Sequence, residues 1–178
     1  MALYYQNLDE QTRQFMLAEV NLDASEKNLY ISSRLNELGQ QNYESLLKEA
    51  VCNHTDEWLA DELRNRNYMK TNEQRRKPKG GFTTAKVPVT ASNTLAEGEF
   101  NRFYVRGLCA RAIKEGISQV EIYRAKTVTR SRPESEEMIG KRFPAEALLE
   151  DLRHSQGVEP ALGLPPGPNS GLTARLSK

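Results

Sequence analysis

The sequence predicts an α+β protein with short helices at the N-terminus, a basic arm or hairpin, a long central helix packed on a small sheet, and an extended Pro/Gly-rich tail. Three patterns support this class: helically spaced apolar residues, a basic segment that lacks them, and apolar alternation near residue 120. The expected segments are a helical N-terminal part (1–69), the basic arm (70–93), a helix–strand–helix core (94–156) and the tail (157–178).

The first third is predicted to contain several short helices around a small core. Asn7 is a suitable cap for a helix over residues 7–20, because an Asn side chain can accept a hydrogen bond from the first helical turn. Gly39 is expected to stop a short helix. Thr55 is expected to cap a further helix that runs to about Arg64.

Residues 72–81 predict a projecting arm. This run has no apolar residue and ends in a Gly-Gly turn dipeptide. Residues 82–89 that follow are rich in β-branched side chains and are expected to be extended. Pro88 marks an edge position or the end of strand pairing. The whole segment is therefore expected to form a basic arm or hairpin outside the helical body.

A long helix over residues 95–115 is the clearest element of the sequence. Thr94 is expected to cap it and Gly116 to stop it. Gly107 lies inside this helix at a cost of about 1 kcal/mol relative to alanine, which indicates close packing there. The residues expected to face inward are Leu95, Phe103, Leu108, Ala112 and Ile113.

The C-terminal part is predicted to add a strand, a helix and a tail. Alternation over 120–124 indicates the strand, and Pro144 is expected to open a helix that ends at Arg153. The tail is too rich in proline and glycine to form a core of its own. Its spaced leucines could dock it on its own body or on a neighbouring subunit, or the tail could stay loose.

The charge of the chain is strongly segregated although its formal net value is +1. Residues 1–63 carry 4 basic and 12 acidic side chains, residues 64–132 carry 16 and 5, and residues 133–178 carry 5 and 7. The positive charges of the middle segment repel one another, so we expect an anionic partner to lie close to this segment. Nucleic-acid phosphate, the acidic first third of the same chain, and that third in another copy all remain open.

Eight basic side chains are the candidate nucleic-acid contacts. They are Lys70, Arg75, Arg76, Lys77, Lys79, Arg102, Arg106 and Arg124. Guanidinium groups match phosphate bidentately, and Tyr104 and Tyr123 could stack on unpaired bases. Individual helical arginines commonly pair with nearby glutamates, so the cluster in the arm is the strongest part of this prediction.

No cofactor, metal or catalytic residue is predicted. Two histidines and two cysteines do not provide a four-ligand metal pattern, and a magnesium site from Glu97, Glu99 and Glu121 is weak because Glu97 is explained by helix capping. Phosphate-binding loops and activated nucleophiles of known pattern are absent from the sequence. A metal-independent endoribonuclease remains an alternative, with Arg106, Glu121, Tyr123 and Arg124 as its candidate residues.

The preferred interpretation is a non-catalytic assembly or adaptor protein whose basic face contacts nucleic acid or an acidic partner. Such a protein would suit a phage or mobile element, in a homo-oligomer or larger assembly. A sequence-independent nucleic-acid-binding protein is the other alternative. The sequence has no apolar run long enough to span a membrane and no secretory signal, and two cysteines make no disulfide framework, so a cytoplasmic protein without membrane contact is expected.

Overall fold

The computed structural model describes residues 3–129, 132–155, 162, 164 and 170–177, and these form an α+β fold as predicted. The described elements, in chain order, are α1 (Glu10–Ser25), α2 (Glu37–Asn53), α3 (Asp56–Asn65), β1 (Asn72–Arg76), β2 (Phe82–Lys86), α4 (Ala91–Lys114), β3 (Gln119–Arg124), α5 (Pro133–Met138), β4 (Arg142–Pro144), α6 (Ala145–His154) and β5 (Leu172–Leu176). Among the described residues, no helix combines the length and the apolar composition of a transmembrane segment.

Helix α4 is the centre of the molecule and is surrounded by other elements. Helices α1, α3 and α6 and the sheet containing β3 all pack against it. Every residue from Glu99 to Cys109 is consequently buried, and because this run covers three turns, the middle of the helix is enclosed on all sides. The predicted inward residues are confirmed except Ile113, which is exposed because it lies in the last turn, beside a surface groove.

The start of α1 differs from the prediction. Asp9, not Asn7, caps the helix, and its Oδ1 accepts a hydrogen bond from the Thr12 N–H at 2.9 Å. The side chain of Asn7 instead accepts a hydrogen bond from the Leu176 N–H at 3.0 Å. Asn7 therefore ties the N-terminal segment to β5, a contact between chain ends that a local capping pattern cannot reveal.

Gly39 begins a helix instead of ending one. It lies in the first turn of α2, where its N–H donates to the capping Asn36 Oδ1 at 2.8 Å. A side chain at this position would collide with the carbonyl oxygen of Tyr68, so glycine is required for close approach. The helix predicted after Thr55 is confirmed as α3, although the Thr55 side chain makes no capping hydrogen bond.

Helix α4 also begins earlier than predicted. Its first residue is Ala91, and the cap is Thr90 instead of Thr94. The N–H of Ala91 donates to the Pro88 carbonyl at 2.9 Å, so the turn after Pro88 leads directly into the helix. Glu97 therefore lies beyond the first turn instead of at the third helical position, and it forms a salt bridge with Lys126.

The end of the tail completes the sheet. Strand β3 lies between β4 and β5 and pairs antiparallel with both. Leu172 and Thr173 of β5 are buried, and the Asn101 side chain bonds both, donating to the Leu172 carbonyl at 2.9 Å and accepting from the Thr173 hydroxyl at 2.6 Å. This part of the tail thus packs on its own body, one of the alternatives that the sequence left open, and it does so as a strand that was not predicted. Residues 157–161, 163, 165–169 and 178 of the tail lie outside the described residues.

Replacing Gly107 with alanine tests the packing of α1 on α4. A Cβ at position 107 would lie 2.7 Å from both the backbone nitrogen and the Cγ of Met16. We expect Gly107→Ala to lower the free energy of unfolding by about 1–3 kcal/mol in urea denaturation, although alanine is the better helix former. Lys114→Ala, at an exposed position of the same helix, should change it by less than about 0.5 kcal/mol. A Gly107→Ala variant as stable as the parent would contradict the close contact.

Candidate nucleic-acid interface

The predicted arm is a two-stranded antiparallel hairpin formed by β1 and β2. Its register runs from Asn72 opposite Lys86 to Arg76 opposite Phe82. The connecting loop has glycines at 80 and 81 with φ of +89° and +79°, a backbone region that L side chains rarely adopt. The Gly-Gly dipeptide therefore provides the reversal that the sequence predicted.

The base of the hairpin is fixed to the helical body. The Arg34 Nε lies 2.6 Å from a carboxylate oxygen of Glu73, and the Lys70 N–H donates to the Arg34 carbonyl at 2.8 Å. The Lys70 ammonium donates to the Ser33 carbonyl at 2.7 Å. Lys70, predicted to contact nucleic acid, thus lies at the base of the hairpin and helps to anchor it. Hydrogen bonds from Arg34 and Arg75 hold the pKa of Glu73 below its usual value.

Side chains alternate between the two faces of the hairpin. Glu73 and Arg75 share one face and form a salt bridge at 2.7 Å, so Arg75 is paired within its own strand. The Gln74 amide donates to the Thr84 hydroxyl at 3.1 Å across the opposite face. We call this opposite face the outer hairpin face, and its members are Asn72, Gln74, Arg76, Phe82, Thr84 and Lys86.

Four cations of the hairpin have no carboxylate partner among the described residues. Arg76 and Lys86 lie on the outer hairpin face, while Lys77 and Lys79 lie in the loop that joins the strands. All four are exposed, and none forms a salt bridge in the part of the chain that the structure describes. These four side chains are called the hairpin cations below.

Arg102 and Arg106 do not lie on an exposed basic face, and this part of the prediction is wrong. Arg106 has no exposed surface, and its guanidinium lies 2.7 Å from a carboxylate oxygen of Glu19 and 2.7 Å from one of Asp23. Arg102 is buried as well and donates to the Leu152 carbonyl at 2.6 Å. The cause is the burial of α4 on all sides, which turns its arginines toward neighbouring helices.

The remaining cations of the middle segment are largely paired within the chain. Arg124, also predicted to contact nucleic acid, lies 2.8 Å from a carboxylate oxygen of Glu136. Arg111 lies 2.7 Å from one of Asp9, which belongs to the acidic first third. Internal compensation therefore accounts for much of the charge segregation, and the hairpin cations form a cluster that it leaves without carboxylate partners among the described residues.

The predicted stacking rings are buried, and a different ring is exposed. Tyr104 has no exposed surface and Tyr123 has little, because the N-terminal segment covers both. Phe82 is 69% exposed, and no aromatic ring or cation covers it among the described contacts. The sequence signal for Phe82 was its place directly after the Gly-Gly turn, but its position opposite Arg76 follows only from the register.

The candidate ribonuclease residues do not form a site. Arg106 is enclosed by α1, and Glu121 is paired with Arg175, whose hydrogen bond lowers the pKa of that carboxyl. The Tyr123 hydroxyl donates to the Tyr4 carbonyl at 2.6 Å, and burial raises its pKa to about 12. Each group is thus engaged in holding the fold.

The three carboxylates considered for magnesium are also not assembled. Among the described residues, no three His, Cys, Asp or Glu side chains lie close enough together to hold a metal ion. Glu99 is buried in α4, and this burial raises its pKa to about 7, against the opposing effect of the nearby Arg102 charge. Its position makes Glu99 a determinant of stability.

Known proteins give no assignment for this chain. No protein-family model, curated protein or solved structure matches it. The exposed cations and the exposed ring of the hairpin are therefore the features from which a function is inferred.

The raised pKa of Glu99 predicts a specific pH dependence of stability. The neutral carboxyl is favoured in the folded state, so its contribution is fully present below about pH 4.5 and is lost as the pH rises through about 7. Glu99→Gln keeps the group neutral. We expect its stability relative to the parent to increase by up to about 3 kcal/mol between pH 5 and pH 8.

Urea denaturation at several pH values measures this difference. Glu137→Gln, which removes an exposed carboxylate, is the control. If the Glu99→Gln and parent stabilities stayed parallel between pH 5 and pH 8, the burial of an ionisable Glu99 would be refuted.

Proposed function

We propose that the protein is a non-catalytic adaptor that binds nucleic acid through its hairpin, without sequence preference. One observation carries this proposal: the hairpin cations are exposed on a projecting two-stranded ribbon and have no carboxylate partner in the described part of the chain. Elsewhere in the middle segment, most arginines are buried or paired.

The chemistry of the hairpin cations suits the phosphate backbone. Guanidinium and ammonium groups that neutralise phosphates release condensed counterions, which makes binding favourable and salt-dependent. A two-stranded ribbon is also narrow enough to enter a nucleic-acid groove. The formal net charge of the chain is only +1, so attraction depends on the local cluster and not on the molecule as a whole.

The absence of sequence preference follows from the side chains available. Phosphate contacts position a protein on nucleic acid but carry no sequence information. The Gln74 amide, which could read a base edge, already donates to Thr84. The hairpin cations are thus expected to bind many sequences with similar affinity. Two further expectations remain predictions from the sequence: that the protein belongs to a phage or mobile-element assembly, and that its partner is an acidic protein.

Removal of three hairpin cations tests the proposal. We expect Arg76→Gln combined with Lys77→Gln and Lys79→Gln to weaken binding of a fluorescein-labelled 20-nucleotide DNA by about 10- to 100-fold at low salt. This corresponds to about 0.5–1 kcal/mol per lost contact. The dependence of log Kd on log salt concentration, measured by fluorescence anisotropy, should become shallower by about 2–3.

A matched control removes the same charge elsewhere. Lys48→Gln, Lys114→Gln and Lys141→Gln together change the net charge equally but leave the hairpin intact. This triple variant should retain most of the affinity. Equal losses in both triple variants would show that overall charge and not the hairpin governs binding. If the parent protein bound neither single-stranded nor duplex DNA at low salt, the proposed function would be refuted.

A further inference from the structure

Phe82 is an exposed aromatic ring in the middle of a cationic surface. It is 69% exposed and is absent from the hydrophobic core and from the residues packed against that core. On the outer hairpin face it lies directly opposite Arg76, and Lys77 follows Arg76 in the loop. Among the described residues, Phe82 takes part in no aromatic pair and in no cation–π contact.

The surroundings of Phe82 restrict what could cover it. An apolar protein surface placed on the ring would also remove the adjacent hairpin cations from water without neutralising them, which is unfavourable. A ligand that presents a flat apolar face next to negative charge satisfies both the ring and the cations. An unpaired nucleobase with its flanking phosphates has this composition.

We propose that the outer hairpin face selects single-stranded nucleic acid, with Phe82 stacking on an unpaired base while the hairpin cations contact the flanking phosphates. This inference rests on the proposed function, because it names the form of nucleic acid that the hairpin binds. In a duplex the bases already stack on one another, so the ring would have to unstack a base step before it could engage. A single strand offers its bases without that cost.

The spacing on the outer hairpin face supports this arrangement. Residues two apart on a strand are separated by about 7 Å, and directly opposite residues by about 5 Å. Arg76 is directly opposite Phe82 on the neighbouring strand. Lys86 is on the same strand as Phe82, four residues further along and beyond Thr84. Long cationic side chains at these distances can reach phosphates on either side of a stacked base.

Binding of matched oligonucleotides to the full chain tests the inference. Fluorescein-labelled 12-nucleotide single-stranded DNA, single-stranded RNA of the same sequence, and the corresponding DNA duplex are compared by anisotropy at one salt concentration. We expect at least one single strand to bind about 5- to 150-fold more tightly than the duplex, the range that one base–aromatic stack provides. The RNA and DNA arms identify which single strand is preferred.

Substitution of the ring separates stacking from charge. Phe82→Leu should remove most of the single-strand preference while the salt dependence and the duplex affinity stay unchanged. Phe82→Trp should restore the preference, and quenching of its fluorescence by the oligonucleotide, corrected with Phe82→Leu for Trp58, would report the stack. Val89→Ala, which truncates an apolar side chain that is 93% exposed and lies outside the strands, is the control and should have no effect.

Each result decides between the inference and its alternatives. Equal affinities for single strands and duplex, unchanged in Phe82→Leu, would overturn the inference but leave the proposed function intact. Loss of self-association in Phe82→Leu, seen by sedimentation without any change in oligonucleotide binding, would assign the ring to a second copy of the chain and also overturn it. Absence of binding to all three oligonucleotides would instead refute the proposed function.

Discussion

The buried pairing of Arg106 with Glu19 and Asp23 holds the centre of this molecule together. It joins α4 to α1, and Glu19 extends it to α6 through a contact of 2.5 Å with Arg153. Burial disfavours ionisation of Glu19, but hydrogen bonds from Arg153 and Arg106 outweigh this effect and lower its pKa. Glu19 therefore remains charged at neutral pH, and its contribution to stability is lost as the pH falls through its lowered pKa. Removing one partner of such a network leaves an unpaired buried charge, a loss of about 3–5 kcal/mol in comparable cases.

The pairing of charges inside the fold also determines which positive side chains remain available to bind an anionic partner. The middle of the sequence is strongly basic, but α4 turns Arg106 into the interior, and the acidic first third supplies its partners. Arg111 and Arg124 are paired at the surface. The one acidic residue of the hairpin, Glu73, is already shared by Arg34 and Arg75. The hairpin cations are thus a consequence of how the rest of the chain neutralises itself.

Local patterns predicted local structure, and long-range contacts limited the rest. The Gly-Gly turn and the polar run before it were sufficient for the hairpin, and apolar spacing was sufficient for α4. Arg106 was misplaced because a helix buried on all sides has no solvated face to identify, and its partners are more than 80 residues away in sequence. Strand β5 was missed because it pairs with a strand about 50 residues earlier, and proline and glycine before it suggested a loose tail. The position of Phe82 beside Arg76 could not be predicted, because it depends on the register between β1 and β2.

Chemical-shift mapping by nuclear magnetic resonance tests the central claim most directly, namely that neutralisation inside the fold leaves the hairpin as the basic surface of the molecule. A short single-stranded oligonucleotide is titrated into isotope-labelled protein at low salt, and the backbone amide shifts are followed. We predict that the shifts concentrate in residues 72–86, while the amides around Arg106 and Arg124 stay unchanged. Shifts centred on α4 or on β3, or an absence of shifts in the hairpin, would contradict the account.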